Sequence, residues 1–191
     1  MVFRARSRAF SPPSGRRKAN AATVADQTPS ATACVGTGNQ CLAQGELEQA
    51  AAWYRRALAL DRGVVAAWGN LGECLRLQDK PREAELTLIE GLSLHRDAPA
   101  LLHNLAVVLE AKGELDAAEQ VCRHLLALLP AGHVGAFNTL GVVAFRRGMV
   151  AAAEAWWRQA LALDPANSDA RRNLAVAATR NQQLPRSVDA C

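Results

Sequence analysis

Residues 134–167 read VGAFNTLGVVAFRRGMVAAAEAWWRQALALDPAN. Phe137 and Leu140 recur at the spacing of one helix face, and a glycine then interrupts the apolar pattern. A second helical face runs through Trp157 and ends before Pro165, because proline cannot continue a helix. The stretch therefore predicts two helices joined by a tight turn.

The same pattern recurs upstream with a period of about 34 residues, which is the signature of stacked helical hairpins. Residues 168–182 have the pattern of a first helix without its partner, and such a helix would cover the exposed edge of the last hairpin. We therefore predict an all-α solenoid of about four hairpins plus a C-terminal capping helix. The repeats of this domain, which spans residues 31–182, are residues 31–64, 65–98, 99–132 and 134–167.

The two terminal helices are expected to differ from the others. Gly36 and Gly38 lie inside the first helix, and each costs a helix interior about 1 kcal/mol relative to alanine. We expect that helix to be short or frayed. In the capping helix Leu174, Ala175 and Ala178 share one face, which we expect to pack against the last hairpin.

Composition and charge exclude two classes of protein. Six of the 22 Lys and Arg residues lie in the first 20 positions, so the remaining chain holds 16 basic residues against 18 acidic ones. A nucleic-acid-binding body would carry a basic stripe, so we predict no nucleic-acid binding by the folded body. The apolar runs fall short of the roughly 20 residues that a membrane span requires, so we predict no span.

The ends of the chain lack an apolar period. Residues 1–30 are rich in Arg, Ser, Pro and Ala, and we predict a disordered basic tail there. Two alternatives stay open: an organellar transit peptide within residues 1–25, or an electrostatic tether to an acidic surface. Residues 183–191 are predicted to be a loose C-terminal tail. Four of the five cysteines fall at apolar positions of the repeats, which favours reduced core residues and a cytoplasmic location.

Fixed positions of the repeats carry recurring residue types. In repeat four they are Phe137, Leu140, Gly141, Ala153, Trp157, Ala160 and Pro165. This pattern resembles the tetratricopeptide repeat family over residues 31–182, although Arg62 and Arg96 replace the family's proline in repeats one and two. The resemblance implies a right-handed superhelix in which the first helices line a concave groove for extended peptides or partner helices.

The family register also predicts close contacts within each hairpin. Small residues at the eighth and twentieth positions of a repeat allow two helices to approach each other closely. The pairs expected to meet are Gly72 with Ala84, Ala106 with Ala118, and Gly141 with Ala153.

The resemblance places polar side chains of the first helices in the groove. Asn70, Asn104 and Asn173 hold equivalent positions in three repeats, with Thr139 at the fourth. An amide both donates and accepts hydrogen bonds, so such a column can hold an extended peptide backbone. It resembles the asparagine ladder of protein O-GlcNAc transferases. The predicted peptide-binding residues are Asn70, Glu73, Arg76, His103, Asn104, Asn138, Thr139, Arg146, Arg172 and Asn173.

One ligand class of this family is disfavoured. Asn39 and Asn70 match the asparagines of the clamp that binds chaperone C-termini in some family members. The cationic places of that clamp are filled here by Val35, Ala100 and Asn104, so the clamp is broken.

Arginines favour an acidic peptide at the C-terminal end of the groove. Arg146, Arg172 and Arg180 gather where repeat four meets the capping helix, and arginine binds carboxylates well. The alternative is a solvated, charged capping face. We expect any specificity beyond backbone contacts to arise at this place.

No motif for catalysis, cofactor binding or metal binding is present in the sequence. His103 has Val107 at the position where a second metal ligand would stand on the same helix face. Cys122 and His124 are two residues apart and point in different directions on a helix. We therefore predict a chain with no catalytic residues, no cofactor and no metal site.

These patterns predict a non-catalytic scaffold or adaptor that binds a peptide or a partner helix in its groove. The alternative is a substrate-recruiting or regulatory module of an enzyme system, such as a glycosyltransferase, whose catalytic domain is not in this chain. The partner, the pathway and the oligomeric state are left open by the sequence.

Replacing Ala118 by leucine should overpack the third hairpin and lower the free energy of unfolding by about 1–3 kcal/mol. The denaturation midpoint in urea measures this change. An unchanged midpoint would count against the register of the repeats.

Overall fold

The computed structural model describes residues 29–183, and the side chains as far as residue 180. The predictions for residues 1–28 and 184–191 lie outside the described residues. The described chain is all-α, which confirms the predicted fold class. Its helices are α1 (Ala31–Ala43), α2 (Leu47–Leu60), α3 (Val65–Leu77), α4 (Pro81–Leu94), α5 (Pro99–Lys112), α6 (Leu115–Leu128), α7 (Val134–Arg146), α8 (Val150–Leu163) and α9 (Ser168–Gln183).

The helices stack as successive hairpins. Each odd-numbered helix packs against the even-numbered helix that follows it, and each hairpin packs against the next. Over residues 29–183, successive odd-numbered helices also contact each other, whereas successive even-numbered helices do not. The odd-numbered helices therefore lie on the inner side of the stack, and their uncovered side chains form what we call the inner surface. None of the helices described is long and apolar enough to cross a membrane.

The turn inside each hairpin requires a left-handed residue. Gly45, Gly113 and Gly148 adopt φ values between 79° and 84° at equivalent places. In the second hairpin Asp79 takes this place with φ 58°, a conformation that aspartate tolerates better than most side chains. Glycine is thus dispensable at the turn, provided that a residue tolerant of this conformation replaces it.

The small residue at the eighth position of each repeat makes room for a further residue of the same hairpin. The atoms nearest to a methyl group added at Gly72 belong to Leu88, at 2.7 Å, and those nearest to one added at Gly141 belong to Trp157. The small residue at the eighth position thus accommodates the side chain at the twenty-fourth position of the same repeat. These twenty-fourth residues are almost fully buried: Tyr54, Leu88, Cys122 and Trp157.

The sizes of the paired residues are complementary. Gly38 and Gly141 accept the large rings of Tyr54 and Trp157, whereas in the third hairpin the bulkier Ala106 stands opposite Cys122. Both of these residues are fully buried in the same core cluster. A glycine in an α-helix costs about 1 kcal/mol, and the contact with a buried ring offsets that cost.

The first helix is neither short nor frayed, so that prediction is wrong. It spans 13 residues, as α3 and α7 do. The hydroxyl of Ser30 caps its N-terminus by accepting a hydrogen bond from the Ala33 amide, 3.1 Å away. Gly38 allows close contact with Tyr54, and the resulting tertiary packing outweighs the low helix propensity of Gly36 and Gly38.

The capping helix uses a different face from the predicted one. Ala170 and Ala177 are fully buried and Leu174 is half-buried, so this line of residues packs against the last hairpin. Ala175 and Ala178 are exposed. The first helix of a repeat packs one face on the preceding hairpin and another face on the second helix of its own repeat. Because no second helix follows α9 in the described residues, only the face that meets the preceding hairpin is buried.

Two histidines meet where the third and fourth repeats pack. The rings of His103 and His133 have their centroids 5.2 Å apart, and His133 caps α7 by accepting a hydrogen bond from the Ala136 amide. A methyl group added at Gly135 would lie 2.8 Å from Nδ1 of His103. That Nδ1 atom is buried and has no hydrogen-bond partner among the described residues.

This packing lowers the pKa of both rings. Burial lowers the pKa of His103, and the neighbouring His133 lowers it further, whereas the carboxylate of Glu73 opposes the shift. Burial alone lowers the pKa of His133. The folded protein therefore favours the neutral form of both side chains.

Gly141→Ala tests the contact with Trp157, and Gly36→Ala is its matched control. Both changes raise the helix propensity by about 1 kcal/mol. At position 141 the added methyl group would meet the indole ring of Trp157, with Cε2 2.6 Å away. At position 36 it would have no neighbouring atom within 4 Å. Urea denaturation should show Gly141→Ala to be less stable than Gly36→Ala by about 1–3 kcal/mol. Equal stabilities would contradict the proposed contact.

Acid should destabilise the protein through the histidine pair. An unfolded histidine has a pKa of about 6.5, above the lowered values in the folded state. The unfolded chain therefore binds more protons as the pH falls through this value, and the free energy of unfolding decreases. The histidine pair makes its full contribution to the free energy of unfolding above about pH 7. This contribution is lost as the pH falls towards the pKa values of the folded state.

The measurement compares the free energy of unfolding at about pH 7.5 and about pH 5.5, on either side of the pKa of unfolded histidine. The decrease should be smaller in His103→Gln than in the unmodified protein. The control is His124→Gln, which removes an exposed histidine that faces Asp97 and should retain the full contribution of the buried pair. An identical pH dependence in His103→Gln and the unmodified protein would refute the role of His103.

Candidate ligand-binding surface

The first two repeats are joined on the inner surface by an amide pair. The side-chain amide of Asn70 donates a hydrogen bond to Oδ1 of Asn39, 2.8 Å away. The hydroxyl of Tyr54 donates to the same oxygen at 2.8 Å, and burial raises the pKa of Tyr54 to about 12. The predicted ligand-binding donor of Asn70 is therefore engaged between repeats.

The remaining members of the predicted asparagine column are also engaged, or are inaccessible. The amide of Asn104 donates to the main-chain oxygen of Gly69 at 3.0 Å, and that of Asn173 donates to Oδ1 of Asn138 at 3.0 Å. Thr139 is buried, with 5% of its surface exposed, so it offers a ligand little contact area. These hydrogen bonds join α3 to α1, α5 to α3 and α9 to α7, so they stabilise the stack itself.

Charged residues in the middle of the inner surface neutralise each other. Arg76 donates two hydrogen bonds to the carboxylate of Glu73, at 2.7 and 2.8 Å. Arg146 pairs with the carboxylate of Glu110 at 2.7 Å and also donates to the main-chain oxygen of Glu110. Arg76 and Arg146 are thus already paired within the protein, with the carboxylates of Glu73 and Glu110.

The ninth position of each repeat divides the inner surface into two halves. This position holds Asn39 and Glu73 in the first two repeats, but Val107, Val142 and Val176 in the next two repeats and the capping helix. Val107 and Val142 are half-buried, and 51% of Val176 is exposed. The inner surface therefore changes from polar to apolar along the stack.

The apolar half ends in an open depression of about 520 Å³, which we call the terminal depression. Its lining residues are Phe145, Val176, Thr179 and Arg180. The guanidinium carbon of Arg180 lies 4.9 Å from the centroid of the Phe145 ring, a cation–π contact. Within the described residues no carboxylate lies in ion-pair range of Arg180. The depression therefore offers an apolar floor with an available cation at its rim.

The sequence indicated this region. Arg180 was predicted to favour acidic ligands, and the junction of repeat four with the capping helix was the expected place of specificity. Arg172, the third predicted arginine, is exposed and lies 3.5 Å from Asp169. Thr179 was missed as a lining residue. Phe145 lies one residue before Arg146, and its ring contacts Arg180 of α9.

Within residues 29–183, no group of three or more histidine, cysteine, aspartate or glutamate side chains is arranged to hold a metal ion. Cys34, Cys41, Cys74 and Cys122 are buried, and they are not joined by disulfides. Burial raises the pKa of the Cys122 thiol to about 12, which keeps it protonated at neutral pH. These cysteines act as small apolar core residues.

Comparison with solved structures places the fold among helical repeat proteins. PilF of Pseudomonas aeruginosa superimposes with a TM-score of 0.70 at 21% identity, over 80% of this chain and 69% of that chain. MamA of Desulfovibrio magneticus RS-1 gives 0.64 at 18% identity, over 80% and 85%. YrrB, described as a TPR protein with an unusual peptide-binding site, gives 0.58 at 21% identity, over 83% and 81%.

A sequence comparison with curated proteins finds no match. Two family profiles described as tetratricopeptide repeat do match the sequence. One covers residues 42–101, and the other covers residues 11–65, 75–133 and 138–191. The second profile alone accounts for well over half of the sequence. The repeated hairpins, the small eighth residue and these matches lead to one conclusion: the chain belongs to the tetratricopeptide repeat family.

Proposed function

We propose that the chain is a non-catalytic scaffold or adaptor that holds a peptide or a partner helix against its inner surface. The observation that carries this proposal is the apolar half of the inner surface, which the described helices leave uncovered. Val176 is half exposed there, beside Phe145. Exposed apolar surface rimmed by polar groups is typical of protein-interaction sites.

The solenoid architecture supports this function. A stack of hairpins presents a long continuous surface on its inner side, which suits an extended ligand better than a compact one. Among the structural relatives, YrrB has a peptide-binding site according to its description. We propose that this chain also binds a peptide on its inner surface.

The charge of the described residues favours a protein ligand over a nucleic acid. Residues 29–183 contain 15 Lys and Arg residues against 16 Asp and Glu residues. Nucleic-acid binding depends on an excess of cations that neutralise phosphates. We propose a cytoplasmic protein with a repeat domain over residues 31–182.

A matched pair of substitutions tests the inner surface. The probe is a set of peptides of about 12 residues, long enough to span about 40 Å when extended. They are selected from a random phage-displayed library on the full-length protein. Val107→Glu introduces a carboxylate into the inner surface, and Ile89→Glu introduces one at an exposed apolar residue of α4.

Val107→Glu should weaken binding of the selected peptides at least about tenfold, because an apolar contact is replaced by a charge that must be desolvated. Ile89→Glu should leave the dissociation constant within about twofold of the original value, as expected for a substitution away from the interface. Fluorescence anisotropy measures both constants, and circular dichroism checks that both variants fold. Equal effects of the two changes, or a library that yields no binder, would reject the proposal.

A further inference from the structure

The terminal depression differs from the polar part of the inner surface, where most of the predicted ligand-binding groups are engaged. The amides of Asn70, Asn104 and Asn173 are engaged between repeats, and the guanidinium groups of Arg76 and Arg146 are paired with carboxylates. A ligand at these places would have to break bonds that stabilise the stack. At the depression, an exposed apolar side chain lies beside a cation that has no carboxylate partner among the described residues.

The charge of the stack is distributed unevenly along its length. Residues 29–120 contain eight Lys and Arg residues against thirteen Asp and Glu residues, whereas residues 121–183 contain seven arginines against three acidic residues. Arg123, Arg146 and Arg147 pair with carboxylates of the N-terminal part, which leaves four arginines against three acidic residues at the C-terminal end. Arg180, on α9, is one of these four, and its cation favours an acidic ligand there.

The shape of the depression favours a peptide side chain as its occupant. Phe145 and Val176 supply apolar surface, and the site is open rather than enclosed. An enclosed small molecule would need walls on most sides, and pockets for such ligands bury most of the ligand surface. An apolar side chain from an extended peptide needs only a floor, because its own backbone covers the other side.

We propose, resting on the function proposed above, that the terminal depression binds an acidic peptide segment. In this segment an aliphatic or aromatic residue stands two positions from an aspartate or glutamate. In an extended chain such residues lie on the same face, about 7 Å apart. The apolar side chain packs on Phe145 and Val176, and the carboxylate accepts hydrogen bonds from the guanidinium of Arg180.

The chemistry of arginine suits this arrangement. Its planar guanidinium group can stack on an aromatic ring and at the same time donate two parallel hydrogen bonds to a carboxylate. The guanidinium of Arg180 already lies over the Phe145 ring, so less side-chain entropy is lost when the carboxylate binds. A lysine at this position would offer a point charge without either property.

The experiment uses the full-length protein and the peptides selected on it. Arg180→Gln removes the cation, and Val176→Ser removes apolar surface at an exposed position where folding is little affected. The control is Arg56→Gln. Arg56 is also stacked on an aromatic ring, with its guanidinium carbon 5.4 Å from the centroid of Trp53, but it lies on α2, away from the inner surface.

The selected peptides should contain an apolar residue two positions from an acidic one. Replacing that acid by its amide should weaken binding about tenfold, as expected for the loss of a charge-assisted hydrogen bond. Arg180→Gln should produce the same loss, and combining the two changes should add little, because the two groups form one interaction. Val176→Ser should also weaken binding, and Arg56→Gln should leave it within about twofold of the original value.

Two results would overturn the proposal, and they have different consequences for the proposed function. Selected peptides that lack the acidic pattern would refute the assignment of the depression. So would peptides whose binding is unaffected by Arg180→Gln but is weakened by Val107→Glu. They would leave the inner surface as the binding face. If neither Arg180→Gln nor Val107→Glu weakens binding, both the assignment of the depression and the proposed function are refuted.

Discussion

The contact between the eighth and the twenty-fourth residue of each repeat sets the spacing within the hairpins, on which the remaining structure depends. A glycine at position eight lets the ring of Tyr54 or Trp157 approach the backbone of the first helix. Each ring then donates a hydrogen bond to an asparagine of that helix. Tyr54 donates to the side chain of Asn39, and Trp157 to the main-chain oxygen of Asn138. The buried core thereby orients residues that are part of the inner surface.

These oriented asparagines connect one repeat to the next. Asn39 accepts a hydrogen bond from Asn70, and Asn138 accepts one from Asn173. Each hairpin cannot bury its apolar face alone, so the stability of a solenoid depends on such contacts between neighbours. The polar groups that look most suitable for a ligand are therefore part of the stack. What remains for a partner is the part of the inner surface that makes no such contacts. This part consists of Val107, Val142 and Val176 and the terminal depression.

Much of the fold could be predicted from the sequence because it depends on local patterns. Apolar spacing located the helices, and glycine and proline located their ends. The errors arose where packing between helices overrides local preference. Gly36 and Gly38 disfavour a helix by propensity, but Gly38 makes room for Tyr54 and the helix forms in full. In α9 periodicity alone could not tell which of two faces meets the preceding hairpin, because both are rich in alanine.

Local patterns of residues were enough to show that this chain is a stack of helical hairpins and to identify the residues at equivalent positions of each repeat. Periodicity suffices for both, since it is a property of neighbouring residues. Which polar groups are available depends on how the helices pack, and local patterns do not reveal this. The amide of Asn104 finds its acceptor on Gly69, 35 residues away, and Arg146 finds its carboxylate on Glu110, 36 residues away. Such partners become neighbours only when the helices stack. That stacking leaves Arg180 beside Phe145 with no carboxylate partner among the described residues.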